Sequence, residues 1–180
     1  MRVVVALFVL TVAGGCCAAP PRPAYVPTTR PAGVGLPPPT ADPLLHAIIV
    51  PPIGWRPDPP KVDENHRHQV WVSPGKTTAY GVITFKLPLP VGPSLALWGV
   101  LRQMRRVEGE ANLLDRHDDP ALGTIRFTAE GGRYTLRGTL STDGLRGWVV
   151  YAGTLRGRPI NAAELRIAEQ AREATRVGQP

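Results

Sequence analysis

The segment DENHRHQ, residues 63–69, holds the side chains of this chain that are best suited to bind a metal ion. His66 and His68 stand two residues apart, so on an extended strand both imidazoles project to one face, with Glu64 as a third ligand. The alternative is a solvated loop leading into a strand that starts at Gln69, because these side chains do not form a closed ligand set. We favour the loop and expect no cofactor. If a metal binds, these three residues are its ligands.

Nucleophilic catalysis has weaker support in the sequence. Ser73, Ser94 and Ser141 fall at a strand end, a helix start and a turn, and none lies in a Gly-x-Ser-x-Gly elbow. The two cysteines, Cys16 and Cys17, precede the part of the chain that is predicted to fold, so the folded part has no thiol nucleophile. We therefore predict that the protein is not an enzyme.

A basic surface is a candidate binding site for an acidic group. Arg126, Arg133 and Arg137 lie in one run of predicted strands, where guanidinium groups could hold a carboxylate, a phosphate or an acidic partner. Scattered charge is also the ordinary state of a solvated surface, and we favour that alternative. A groove between the first predicted helix and the sheet, bordered by Tyr80 and Trp98, is a second candidate site for a ligand or partner.

Alternating apolar residues predict an antiparallel sheet that positions these side chains. The pattern indicates strands over residues 69–73 and 80–87, the second with Ile83 and Phe85 on a single buried face. After a short strand near residues 112–116, the runs TIRFTAE, RYTLRGTL and LRGWVVYAGTL are joined by short turns, which predicts a C-terminal three-stranded meander. The last run is apolar on both faces, which is typical of a central strand covered on both sides.

Two helices are predicted to cover this sheet. The first has Ser94 as its N-cap and ends near Gly109. The second begins at Asn161, which forms a capping-box pattern with Glu164, and Gly178 follows as its C-terminal glycine. The predicted fold class is therefore α+β, with helix, sheet and helix in three layers.

The N-terminus has the pattern of an export signal. Arg2 is followed by 11 uncharged, mostly apolar residues, 3–13, a run too short to span a bilayer, which takes about 20 residues. The small residues before Cys16 resemble a bacterial lipobox, and this resemblance implies that Cys16 carries lipid, including acyl chains such as palmitate. The alternative is ordinary signal-peptidase cleavage, for example after Gly15 or Ala18.

These features divide the chain into a signal peptide (1–15), a tether (16–43) and a single domain (44–180). The tether holds nine of the 21 prolines and few large aliphatic residues, a composition typical of disorder. The net charge of +7 is scattered along the chain, and we expect no nucleic-acid partner. The expected location is exported and membrane-anchored, facing the periplasm or the cell exterior.

The order of elements resembles the Mog1/PsbP-like fold. The resemblance covers roughly residues 51–177 and includes the runs GW, AYGVITFKLP and GGRYTLRG followed by GWVVYAG. The chain is also similar to uncharacterised exported bacterial lipoproteins that carry these runs. Members of the fold include photosystem accessory proteins and trafficking adaptors, which implies a non-catalytic accessory role toward a protein or envelope partner. The alternative is a small-ligand or metal-binding module that uses the region of His66 and His68.

Overall fold

The computed structural model describes residues 36–178 and has the α+β composition that the sequence predicts. The helices are α1 (Pro93–Glu108) and α2 (Ala162–Ala174). The strands are β1 (Thr40–Asp42), β2 (Ala47–Ile49), β3 (Arg56–Pro57), β4 (Lys61–Val62), β5 (His66–Val72), β6 (Thr78–Lys86), β7 (Ala111–Asp119), β8 (Thr124–Gly131), β9 (Tyr134–Thr142), β10 (Arg146–Leu155) and β11 (Arg176–Val177). The predicted signal peptide, Cys16 and most of the predicted tether lie outside the described residues.

The main sheet is antiparallel and has eight strands. Their order is β3-β5-β6-β10-β9-β8-β7, and β4 pairs with β5 beside β3. The predicted meander is confirmed as β8, β9 and β10, and β7 extends it by pairing with β8. Among residues 36–178, no helix is both long and apolar enough to cross a membrane.

A second, three-stranded sheet has the order β1-β2-β11. Its first strand, Thr40–Asp42, falls inside the predicted tether, so the folded part of the chain begins before residue 44. Two contacts explain this difference. Asp42 accepts hydrogen bonds from the backbone amides of Leu44 and Leu45 at 2.9 and 3.0 Å, and Leu36 packs on the adjoining apolar core. Local capping and burial therefore order residues that the proline-rich composition assigned to a tether.

The two helices cover opposite faces of the main sheet. On the α1 face, Ile83 and Phe85 of β6 pack with Leu97 and Met104 of α1. On the α2 face, Tyr80 and Val82 of β6 pack with the buried alanines of α2. The predicted alternation along β6 is confirmed, but the prediction of one buried face is wrong, because both helix layers reach this strand.

The start of α1 differs from the prediction. Gly92, not Ser94, is the N-cap residue, and no side chain caps the helix there. Pro93 occupies the first helical turn, where its fixed φ angle favours the start of a helix. The hydroxyl of Ser94 instead accepts a hydrogen bond from Arg116 at 2.6 Å. The predicted end is confirmed, because Gly109 caps the helix with a φ angle of 82°.

The N-cap of α2 is confirmed, whereas its predicted C-terminal glycine is wrong. Asn161 accepts hydrogen bonds from the amides of Ala163 and Glu164. The Glu164 carboxylate accepts from the amide of Gly75 at 2.9 Å, which ties α2 to the β5–β6 turn. The helix ends at Ala174 with Thr175 as its C-cap residue, and β11 follows directly. The amide of Gly178 donates to the carbonyl of His46.

Candidate functional site

A cavity of about 440 Å³ lies between α1 and the main sheet. The helix packs over β7, β8 and β9, so it leaves the β5–β6 side of this face partly uncovered. The floor on that side includes Ala79 and Gly153, which face the α1 side and add little or no side-chain volume. Val100 and Met104 of α1 form a wall. The cavity therefore results from an offset helix above small residues in two central strands.

The outer rim of the cavity is the edge segment 56–61. Pro59 and Pro60 separate β3 from β4, since proline has no backbone N–H to donate to a sheet. The segment is nevertheless fixed to β5. The amide of Asp58 donates to the carbonyl of Val70 at 2.9 Å, and the Gln69 side chain donates to the carbonyl of Asp58 at 2.8 Å.

A buried polar pair, His68 and Tyr151, lies on the wall of this mostly apolar cavity. Nε2 of His68 and the hydroxyl oxygen of Tyr151 are 2.7 Å apart and share a hydrogen bond. His68 is 4% exposed and Tyr151 is 7% exposed. Within residues 36–178, Nδ1 of His68 has no hydrogen-bond partner. A buried polar atom left unpaired costs about 1–3 kcal/mol, so the burial of Nδ1 offsets part of the stability that the hydrogen bond at Nε2 provides.

The pair stays uncharged at neutral pH. Burial, together with smaller contributions from the nearby His66 and Lys61, lowers the pKa of His68 to about 3. Burial raises the pKa of the Tyr151 hydroxyl well above its usual range. Because neither group titrates near pH 7, the pair is suited to hydrogen bonding and poorly suited to general acid–base catalysis.

Charged residues lie at the mouth of the cavity. Arg56 and Lys61 come from the edge segment, where Lys61 stands opposite His68 in the β4–β5 register. Burial lowers the pKa of Lys61, and the neighbouring Asp58 partly opposes this shift. Glu108, at the other side, is held by Arg133 through its backbone amide, Nε and Nη2 at 3.0–3.4 Å. An anionic group entering the mouth would therefore meet Arg56 and Lys61, and it would compete with Asp58, which lies 3.4 Å from Arg56.

The predicted metal ligands occupy different surroundings. His66 and His68 lie in strand β5 and are buried, so the prediction that they lie in a loop before Gln69 is wrong. They share a face, with ring centroids 6.3 Å apart, yet His66 contacts Asp63 at 3.3 Å whereas His68 contacts Tyr151. Glu64 is exposed in the turn before β5. In the described part of the chain, no group of three or more His, Cys, Asp or Glu side chains is placed to hold a metal ion.

The predicted groove does not form, because its two residues lie on opposite sides of the sheet. Tyr80 is fully buried on the α2 face, where its hydroxyl contacts Thr175 at 2.5 Å. Burial raises the pKa of Tyr80 to about 12. Trp98 is 58% exposed on the outer side of α1. The two aromatic residues therefore cannot border one groove.

The three candidate arginines are divided between the two faces. Arg126 and Arg137 are exposed on neighbouring strands and share the α2 face, where Arg137 pairs with Glu169 at 2.7 Å. Arg133 lies in the β8–β9 turn and pairs with Glu108 of α1. The structure thus brings together two of the three arginines.

Sequence reasoning missed Tyr151, Asp58 and Lys61 as cavity residues. One signal for the cavity is present in the sequence. Ala79 of β6 and Gly153 of β10 are small residues in strands that otherwise carry many large apolar side chains. A small residue inside a predicted strand indicates a place where another group can approach the sheet closely. The sequence does not show which helix leaves that space unfilled.

Comparison with known proteins supports the fold assignment. No protein-family model matches the chain, and no curated protein matches it in sequence. Among solved structures, the chain is similar to the solution structure of cyanobacterial PsbP (CyanoP) from Synechocystis sp. PCC 6803. The TM-score is 0.53 at 12% identity, over 84% of this chain and 98% of that chain. The protein therefore has a PsbP-like α+β fold.

Proposed function

We propose that this protein is a non-catalytic binding protein of the bacterial envelope and that it binds a small, largely apolar molecule in the cavity beneath α1. The sequence favours a protein or envelope partner first and a small ligand second. Because of the cavity, we prefer the small ligand to the protein partner. We expect this ligand to contact His68 without a bound metal.

The observation that carries the proposal is the chemistry of the cavity wall. The cavity has a volume of about 440 Å³, which falls in the range of about 300–1,000 Å³ typical of small-molecule sites. The wall is mainly apolar, with His68 and Tyr151 as the buried polar groups and Arg56 and Lys61 at the mouth. A ligand with an apolar body and one hydrogen-bonding or anionic end matches this distribution.

The location belongs to the same proposal. The apolar run at residues 3–13 and the small residues before Cys16 support export and acylation of Cys16. The measurement is fractionation of cells that express the wild type or the Cys16→Ala variant. The acylated wild type is expected in the membrane fraction, whereas the variant is expected to be released or to keep its uncleaved signal. Equal distribution and equal mass of the two proteins would contradict acylation.

Ligand binding is tested by filling the cavity. Ala79 lies on the cavity floor and Ala163 is exposed in the first turn of α2. The probe is the neutral fluorophore N-phenylnaphthylamine, whose emission rises in apolar sites. Ala79→Phe is expected to weaken probe binding by about tenfold or more, because the new ring occupies the apolar space on which the probe depends.

The matched control is Ala163→Phe, which adds the same ring to the solvent side of α2. This variant is expected to bind the probe as the wild type does. Circular dichroism and thermal melting of both variants establish that each is folded. Equal probe affinities for the two folded variants would contradict the cavity as the binding site. Native mass spectrometry of the wild type then identifies a molecule that co-purifies with it.

A further inference from the structure

The outward face of α1 is both apolar and basic. Leu95 and Trp98 lie in the first half of the helix and are 57% and 58% exposed. Arg102 and Arg106 are also exposed and follow at helical spacing, so the four side chains line one side of α1. The Arg102 guanidinium carbon lies 5.3 Å from the centroid of the Trp98 ring. Two large apolar groups and two cations therefore face the solvent together.

This face carries positive charge without an opposing carboxylate on the helix. The acidic residue of α1 is Glu108, whose side chain is 2% exposed and is paired with Arg133. Asp118 of β7 lies on the same side of the sheet, but Arg116 holds both of its oxygens at 2.6 Å. The exposed arginines of α1 therefore keep their charge available to an external anion.

We propose that the outward face of α1 docks on an anionic lipid bilayer. Tryptophan and leucine prefer the headgroup region of a membrane, and arginines next to them attract anionic headgroups. Arginine and tryptophan are also common in protein interfaces, and the acylation pattern at Cys16 is the observation that favours a lipid surface. The proposal does not depend on the cavity, which lies on the opposite side of the helix from this stripe.

The N-terminal pattern is consistent with such a surface. Acylation of Cys16 would place the bilayer 20 residues before Leu36, the first residue that the structure describes. A chain of that length reaches about 60 Å when fully extended in a polyproline conformation. The anchor would therefore allow α1 to contact the same membrane.

The experiment uses the chain from residue 16 onward with Cys16→Ala, so that neither an acyl group nor the apolar run at residues 3–13 dominates binding. Sedimentation is measured with vesicles of phosphatidylglycerol and phosphatidylcholine and with vesicles of phosphatidylcholine alone. Brominated acyl chains report Trp98 directly, because Trp55, Trp71 and Trp148 are buried. We expect binding to the anionic vesicles with quenching of tryptophan emission, and binding at least about tenfold weaker to the neutral vesicles.

Charge reversal identifies the docking face. Arg102→Glu with Arg106→Glu is expected to weaken binding to anionic vesicles by about thirtyfold or more. The control is Arg126→Glu with Arg158→Glu, which changes the net charge equally at exposed sites away from α1 and is expected to keep wild-type binding. The proposal would be overturned if both double variants lost vesicle binding equally or if neither lost it. Binding to anionic vesicles without quenching of tryptophan emission would also overturn it.

Discussion

Tyr151 of β10 lies across Gly81 of β6. The two residues are directly paired in the sheet, and a methyl group built on Gly81 would overlap the phenol ring. By crossing Gly81, the Tyr151 hydroxyl reaches His68 on β5, the next strand of the sheet. The buried polar pair of the cavity therefore depends on the absence of a side chain at residue 81.

The same arrangement recurs at two other places on the α1 face. The ring of Phe85 lies over Gly147, and the ring of Phe127 lies over Gly138. In each case the aromatic residue and the glycine are paired across neighbouring strands. Aromatic rings that cover glycine in this way restore the apolar contact that glycine lacks in a sheet.

Gly81→Ala is expected to destabilise the protein by about 1–3 kcal/mol, because the new methyl group displaces the Tyr151 ring in a packed core. The measurement is the free energy of unfolding in urea. Gly99→Ala is the matched control, since Gly99 lies in the exposed middle of α1 with nothing within 4 Å of its added methyl group. That variant is expected to gain about 0.5–1 kcal/mol from helix propensity. An equal response at both sites would contradict the packing described for Tyr151.

The His68–Tyr151 hydrogen bond is expected to show energetic coupling. Tyr151→Phe leaves Nε2 of His68 buried without a partner, which costs about 1–3 kcal/mol. In the double variant Tyr151→Phe with His68→Leu, no polar atom is left unpaired, so its loss should be smaller than the sum of the two single losses. A double-mutant cycle of urea unfolding measures this difference, expected at about 1 kcal/mol or more. Additive single losses would show that the two groups do not interact.

Stability is expected to fall in mild acid because His68 is buried in its neutral form. Its pKa is about 3 in the folded protein against 6.5 for the free side chain. Between these values the unfolded chain binds a proton at His68 and the folded chain does not, so lowering the pH favours unfolding. From about pH 7 to about pH 5, this group removes about 2 kcal/mol of unfolding free energy.

The His68→Gln variant isolates this effect from other titrating groups. Glutamine does not titrate, so the stability advantage of the wild type over the variant should shrink as the pH falls. Urea unfolding of both proteins at several pH values measures that difference. A difference that stays constant across the range would mean that His68 has the same pKa in the folded and the unfolded protein.

Much of the fold follows from local patterns in the sequence. Periodicity and residues close in sequence are enough to predict four features. These are the meander strands, the alternation along β6, the end of α1 at Gly109 and the cap at Asn161. The small sheet was missed because β1, β2 and β11 have three, three and two residues. Such strands carry too few residues to show a period.

The candidate site was predicted less well, because its contacts join distant parts of the chain. His68 and Tyr151 are 83 residues apart, and neither signals its partner in sequence. Two histidines are also buried in β5, although polar residues usually lie in loops. Their partners, Asp63 and Tyr151, reduce the cost of burial only once the fold has formed.

Asn161→Ala is expected to lower the free energy of unfolding by about 1 kcal/mol, because the side-chain oxygen accepts from the amides of Ala163 and Glu164 at 3.1 and 3.3 Å. Asn161→Asp keeps an acceptor at the same place and is expected to stay close to the wild type. Hydrogen exchange should quicken at these two amides in the alanine variant alone. If both variants lose equal stability, the side chain acts there in some way other than as a helix cap.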